Sequence, residues 1–232
     1  MKRFRWLRAD WPISMRTLSK HLKARPFDSA ATHGFVIDRV REEFLEARYV
    51  ERIEYTETIT DPFGIELSFD RVEFRQSSFR ASPYGPGLEL RNPPRSVQSL
   101  LNRLSEATDF EVAIVPHTVD VLEWGTRLHA LSGLKSVVDS LQLNSVALEP
   151  GIQAKIVVKG DRDVREAYAA LTSQRKHTLE KIQLRLDKPN AGTIILGRTA
   201  SASLSVDDPQ EQILQSLRDA LQMIDTSSSR LE

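Results

Sequence analysis

The chain has 232 residues, 32 basic and 32 acidic side chains, and no cysteine. A chain this long supplies one large domain, or a domain with an appendage, and folds without metal or disulfide. The missing thiols exclude disulfides, thiolate metal sites, iron–sulfur clusters and cysteine nucleophiles. With 40% hydrophobic and 28% charged residues, the composition is globular rather than disordered. No apolar run approaches the roughly 18 residues that span a bilayer. The N-terminus begins with basic residues, but Arg8 and Asp10 interrupt any apolar stretch, so no secretory signal is read there. The absence of cysteine suits a reducing compartment, and a cytoplasmic location is the expectation.

The zero net charge hides an asymmetry. Residues 1–25 hold eight basic side chains against one acid, Asp10, which leaves the remainder at −7. Such an imbalance points to a partner or to self-docking.

In chain order, Ile13, Met15, Leu18 and Leu22 predict a helix over 12–24. Asp28 or Ser29 is then positioned to cap a second helix to about residue 47, with Phe35, Val36, Val40, Phe44 and Leu45 on its apolar face. Ile53, Tyr55 and Ile59 alternate as a strand, Asp61-Pro62-Phe63-Gly64 turns the chain, and Ile65, Leu67 and Phe69 return it. The apolar phase then slips to Val72 and Phe74, which predicts a β-bulge near Asp70 in a long, bent hairpin. Ser82–Gly87 reads as a loop, Leu88 and Leu90 as a short strand, and Val97, Leu100, Leu101 and Leu104 as a helix over 95–107.

Phe110, Val112 and Ile114 form a strand ended by Pro116, and a helix follows over 118–131. Strands are expected at 136–148 and from Ile152 to Val158 around Glu149-Pro150-Gly151, then a helix to about 176. Ile182, Leu184 and Leu186 alternate before the Asp187–Gly192 turn, and Ala202, Leu204 and Val206 face one way on the return over 193–206. Asp207 or Asp208 caps a last helix bearing Ile213, Leu214, Leu217 and Leu221; 226–229 reads as a disordered tail, and Leu231-Glu232 as a cloning scar.

Hairpins dominate over crossovers, so the fold class is α+β: mostly antiparallel sheet built from hairpins with packed helices, preceded by a short helical N-terminal segment. The expected organisation is a basic helical arm at 1–47, a body at 48–225 with two possible similar halves (48–132 and 133–225), and a tail at 226–232.

Chemical motifs are sparse. The chain has neither G-x-x-x-x-G-K-[ST] nor G-x-G-x-x-G, and Pro86 removes an amide that a phosphate cradle would use. His21, His33, His117, His129 and His177 are scattered; His117, Asp120 and Glu123 form the nearest metal-like set, with a capped helix start as the simpler reading. Arg16 and His21 match the loose R-x4-H pattern of HEPN ribonucleases, but a five-residue offset sets two side chains about 140° apart on a helix. A β-rich chain is also unlike that all-helical family. No G-x-S-x-G is present, and no cofactor is expected. Aspartates such as Asp161, Asp163, Asp207 and Asp208 stand near helix starts, where they cap amides.

One segment rises above this background. Phe4, Trp6 and Trp11 interleave with Lys2, Arg3, Arg5 and Arg8, and Arg16, Lys20, Lys23 and Arg25 follow. These residues could dock on an acidic protein surface with the tryptophans as anchors. They could bind nucleic acid, cations on phosphates and rings on bases. They could also be ordinary core with a solvated charged face. The leading expectation is a non-catalytic interaction subunit that assembles with itself or with partner proteins. The alternative is a nucleic-acid-binding protein, with Arg71, Arg75, Arg80, Arg162 and Arg165 as a possible local patch.

Overall fold

The structure is a computed structural model that describes residues 1–188, 191–206 and 210–228. The elements run β1 (Lys2–Asp10), α1 (Met15–Lys23), β2 (His33–Val40), β3 (Leu45–Thr60), β4 (Glu66–Ala81), β5 (Gly87–Arg91), α2 (Gln98–Ala107) and β6 (Ala113–Pro116). They continue with α3 (Val121–Ser132), β7 (Ser136–Glu149), β8 (Ile152–Lys159), α4 (Arg165–Thr172), β9 (Thr178–Leu186), β10 (Gly192–Gly197), β11 (Ser201–Val206) and α5 (Gln210–Ser228). The fold is α+β with antiparallel pairing throughout the hairpins, as the sequence pattern requires. No described helix is long and apolar enough to cross a membrane.

The chain divides into two compact units. One unit holds Met1–Ala9, Tyr84–Glu89 and Ile114–Glu232; the other holds Asp10–Pro83 and Leu90–Ala113.

In the first unit the strands run β1-β11-β10-β9-β7-β8. Paired residues share a face, so register fixes what each face carries. One row across the six strands reads Phe4, Ala202, Leu196, Ile182, Leu141, Val158. All six are apolar, and Trp124 and Leu128 of α3 with Ile213 and Leu217 of α5 complete that core. Gly125 lets α3 approach, because a Cβ there would sit 2.7 Å from Ile182 Cδ1. The neighbouring rows project from the opposite face and are polar: Arg5, Ser201, Gly197, Lys181, Gln142, Val157 in one and Arg3, Ser203, Ile195, Gln183, Ser140, Lys159 in the next. This is the sheet that β9 and β11 announce, with Lys181-Ile182-Gln183-Leu184-Arg185-Leu186 and Ser201-Ala202-Ser203-Leu204-Ser205-Val206 alternating strictly.

A buried polar network ties this unit's segments together. The Trp6 indole donates to Glu89 Oε2 at 3.1 Å, and Arg218 Nε donates to the same oxygen at 2.7 Å. Arg218 Nη2 donates to Glu89 Oε1 at 3.1 Å, making the pair bidentate. Burial disfavours the Arg218 charge, and Glu89 and Glu211 outweigh it, so the guanidinium is held above its ordinary value.

In the second unit β2, β3 and β4 form an antiparallel meander packed with α1 and α2. Ser14 caps α1, accepting from Thr17 N at 3.1 Å. Leu18, Leu22, Leu100 and Leu104 are buried, and Phe35 packs tilted against Tyr49 and edge-on against Phe79.

Several sequence expectations are corrected here. The N-terminal segment opens with a strand, β1, and not with a helix. The helix expected through residue 47 is the hairpin β2–β3, closed where Arg41 N donates to Phe44 O at 2.8 Å. Its apolar residues happened to fall at helical spacing, but Phe35, Val36, Ile37 and Val40 favour a pleated surface and pair with β3. Asp28 caps a turn, accepting from Ala30 N and Ala31 N. Gly34 is required in β2, since a Cβ would lie 2.4 Å from Pro26 O.

The bulge near Asp70 is absent: β3 and β4 pair without a shift from Leu45↔Ala81 to Thr60↔Glu66. The strand expected over 193–206 is two strands split at Ala200, whose φ is +46°. Phe110 lies outside β6, at a φ of +62°. The last helix continues through Ser228, past the expected start of the tail. The proposed caps Asp207 and Asp208, part of the Asp187–Gly192 turn, and the terminal Leu231-Glu232 lie outside the described residues.

Replacing Arg218 with Met leaves the buried Glu89 carboxylate without its guanidinium. We expect a loss of about 3–5 kcal/mol in urea unfolding. The double variant Arg218→Met with Glu89→Gln, which keeps an acceptor for Trp6, should recover most of it.

Candidate functional site

The N-terminal residues singled out by sequence are divided between the two units. Lys2, Arg3, Phe4, Arg5, Trp6 and Arg8 are in β1; Arg16, Lys20 and Lys23 are on α1, with Trp11 before it and Arg25 after it. Phe4, Trp6 and Trp11 are buried. Trp6 packs edge-on against Trp124 at 5.6 Å between ring centroids. These rings are core, so they are not available to stack on bases. Arg8 Nε donates to Nδ1 of buried His117 at 3.0 Å, Arg16 pairs with Glu42 at 2.9 Å, and Arg25 donates to the carbonyls of His21 and Glu106. Lys2, Lys20 and Lys23 are exposed.

The metal-like set also resolves into local structure. Asp120 caps α3, accepting from Leu122 N and Glu123 N, and Glu123 pairs with Arg127 at 2.6 Å. Among the described residues no group of three histidine or acidic side chains could hold a metal ion. His21 Nδ1 lies 3.0 Å from Ala107 O, away from any Arg16 chemistry. Of the arginines considered as a patch, Arg71, Arg75 and Arg165 are ion-paired with Glu57, Glu73 and Asp163.

A polar depression of about 430 Å³ lies in the first unit beside the start of α3. In it Tyr168 and His177 are joined at 2.9 Å between Oη and Nε2, and His177 Nδ1 is 2.9 Å from Arg175 O. Burial and the nearby Asp120 charge raise the Tyr168 pKa, so the phenol stays neutral and donates to His177. The pair is a complete local bond rather than a poised acid or base.

The feature that stands apart is the distal half of the β3–β4 hairpin. From Tyr55 to Phe74 almost every residue is exposed on both faces, which makes this a two-stranded ribbon. Its apolar side chains are 44–88% exposed, with Phe63 at the tip the most exposed. Register sorts them. Tyr55, Ile59, Leu67 and Phe69 share one face with the ion pair Glu57–Arg71, at 2.8 Å. Thr56, Thr58, Thr60, Ser68, Asp70 and Glu66 share the other.

The slip of apolar phase that suggested a bulge is a change of face in a regular ladder. Val72 and Phe74 point away from Phe69, and Phe74 meets Phe27 edge-on at 6.1 Å. At the turn Asp61 Oδ1 accepts from Phe63 N and Ile65 N, both at 2.8 Å, and Gly64 takes the left-handed φ of +86°.

Sequence reasoning found this hairpin but not its exposure, since alternating Ile, Tyr, Leu and Phe look the same whether a helix covers them or not. The available signal was length. Two 16-residue strands exceed what neighbouring elements in a small unit can cover. No known protein family matches the chain, and no curated protein is detectably similar to it in sequence.

The ribbon is rooted at Tyr49, whose hydroxyl donates to Glu51 Oε1 at 3.3 Å. Burial and the Glu51 charge, partly countered by Arg103, push its pKa up to about 12. The folded state therefore favours the neutral phenol. The stability this contributes is complete below the ordinary tyrosine pKa of about 10 and is lost as pH rises towards 12. We expect the unfolding free energy to fall more steeply across that window in the native chain than in Tyr49→Phe, as read by urea titration at each pH.

Proposed function

We propose that this protein is a non-catalytic assembly subunit and that the β3–β4 ribbon is its docking element, with a second copy of the chain as the occupant. The observation that carries this reading is the apolar face formed by Tyr55, Ile59, Leu67 and Phe69 on a two-stranded ribbon. Contiguous exposed apolar surface marks interaction sites in soluble proteins. An isolated two-stranded hairpin is only marginally stable in water, so covering this face would stabilise the ribbon.

Charge argues against an anionic occupant, and the chemistry of the apolar face suits a second copy. Between Ile53 and Glu73 the ribbon carries six carboxylates and one arginine, which disfavours phosphate ligands and anionic lipid. On the apolar face Glu57 is matched by Arg71 and Glu73 by Arg75, while Glu54, Glu66 and Asp70 stand on the other face. A face that is apolar and locally charge-balanced is self-complementary: under a two-fold axis each Glu57 also meets the Arg71 of the other copy.

Light scattering coupled to size exclusion, at several concentrations, tests the proposal. The native chain should dimerise with rising concentration, and Leu67→Glu with Phe69→Glu should stay monomeric with an unchanged far-ultraviolet spectrum. Both side chains are already solvent-facing, so their replacement should change monomer stability by less than about 0.5 kcal/mol. A native chain that is monomeric at every concentration would refute self-assembly.

A further inference from the structure

The first unit's sheet has one face under helices and one face without them, and the uncovered face is basic. Six cations project from it: Arg3 and Arg5 on β1, Lys181 and Arg185 on β9, and Lys155 and Lys159 on β8. Register places Arg3, Arg5, Lys159, Lys181 and Arg185 in paired rows, and Lys155 follows from strand alternation with Val157. The rows between the cations carry the uncharged hydrogen-bonding groups of Ser201, Ser203, Ser205, Thr193 and Gln183, together with the apolar Val137, Ile195 and Val157.

No carboxylate stands in these rows. Asp139, buried in the β7 bulge, has Oδ2 3.6 Å from Arg185 Nε. Lys155, Lys159 and Lys181 are exposed and form no ion pair among the described residues. Arg185 is partly engaged, donating to Asp161 O at 2.6 Å.

We propose that this open face binds double-stranded nucleic acid through its phosphates. From β1 to β8 it crosses five inter-strand gaps, about 24 Å at the usual spacing, so its cations are distributed and not clustered at one point. Distributed cations with interleaved hydroxyl and amide groups match a phosphate array, and such contacts position a duplex without reading its sequence. No aromatic side chain stands in the rows. The stacking platform on which single strands depend is therefore missing, and the rigid duplex is the better-matched form. The site shares Arg3 and Arg5 with the basic segment seen in sequence, but it needs neither Trp6 nor α1.

The test is fluorescence anisotropy with the full chain, a short mixed-sequence DNA duplex and either of its single strands, across a salt series. We expect duplex binding that weakens with salt, with a log–log slope of about −4 to −5, or −0.9 for each of five or so phosphates. Lys159→Gln with Lys181→Gln should reduce that slope by about two and leave the urea midpoint in place. Lys159→Glu with Lys181→Glu should abolish binding. Lys135→Gln with Lys176→Gln, an equal charge change at exposed lysines outside the rows, should leave the slope as it was.

Absence of duplex binding at low salt overturns the proposal. Equal loss from the Lys135 and Lys176 pair, tighter binding of the single strand, or capture of phosphatidylserine vesicles without duplex binding does the same. The Leu67 and Phe69 variants should bind duplex with an unchanged slope, so failure here is distinguishable from failure of the assembly reading.

Discussion

A β-ladder gives every strand two faces, and the chain must find something for each of them. In the first unit, antiparallel register carries one apolar row from Phe4 through Ala202, Leu196, Ile182 and Leu141 to Val158, and α3 and α5 close over it. The same register necessarily sends the alternate residues to the other side. A one-residue slip of β9 would put Lys181 and Gln183 under α3, so the core pins the polar face as firmly as itself. The arginine–glutamate–tryptophan network of Arg218, Glu89 and Trp6 acts in the same direction. It joins α5 to β5 through the bidentate Arg218–Glu89 bond and β1 to the same carboxylate through Trp6.

The ribbon follows the same rule with the opposite outcome. Its ladder is regular over 16 pairs, and it too divides into an apolar and a polar face, but no helix covers the apolar one. The two exposed surfaces differ in chemistry. The ribbon is acidic and apolar, and its apolar face is locally charge-balanced. The open sheet face of the first unit is basic and hydroxyl-rich. Protein contact suits the first surface and phosphate contact the second, because apolar area drives association between proteins and distributed cations release counterions from nucleic acid.

Much of the fold was legible in the sequence. Strict alternation in β9 and β11, the Asp61–Gly64 and Pro150-Gly151 turns, and the 3.6-residue spacing of Leu100, Leu101 and Leu104 each specify one local answer. Residues 28–47 were misread because Phe35, Val36, Val40 and Phe44 satisfy both periods, and pairing with β3 decided between them. The N-terminal strand was missed because its aromatics and cations alternate as Phe4, Arg5, Trp6, which is strand patterning in a segment whose charge drew attention first. The ribbon's exposure was not legible at all. Burial depends on what lies across from a strand, and that information is held by tertiary packing, not by the strand's own residues.

Amide hydrogen exchange of residues 53–73, followed at increasing protein concentration, addresses the central claim most directly. If a second copy covers the ribbon, protection of these amides rises with concentration while that of β9 and β11 stays constant. Protection that is independent of concentration, measured up to the solubility limit, would contradict self-assembly through the ribbon.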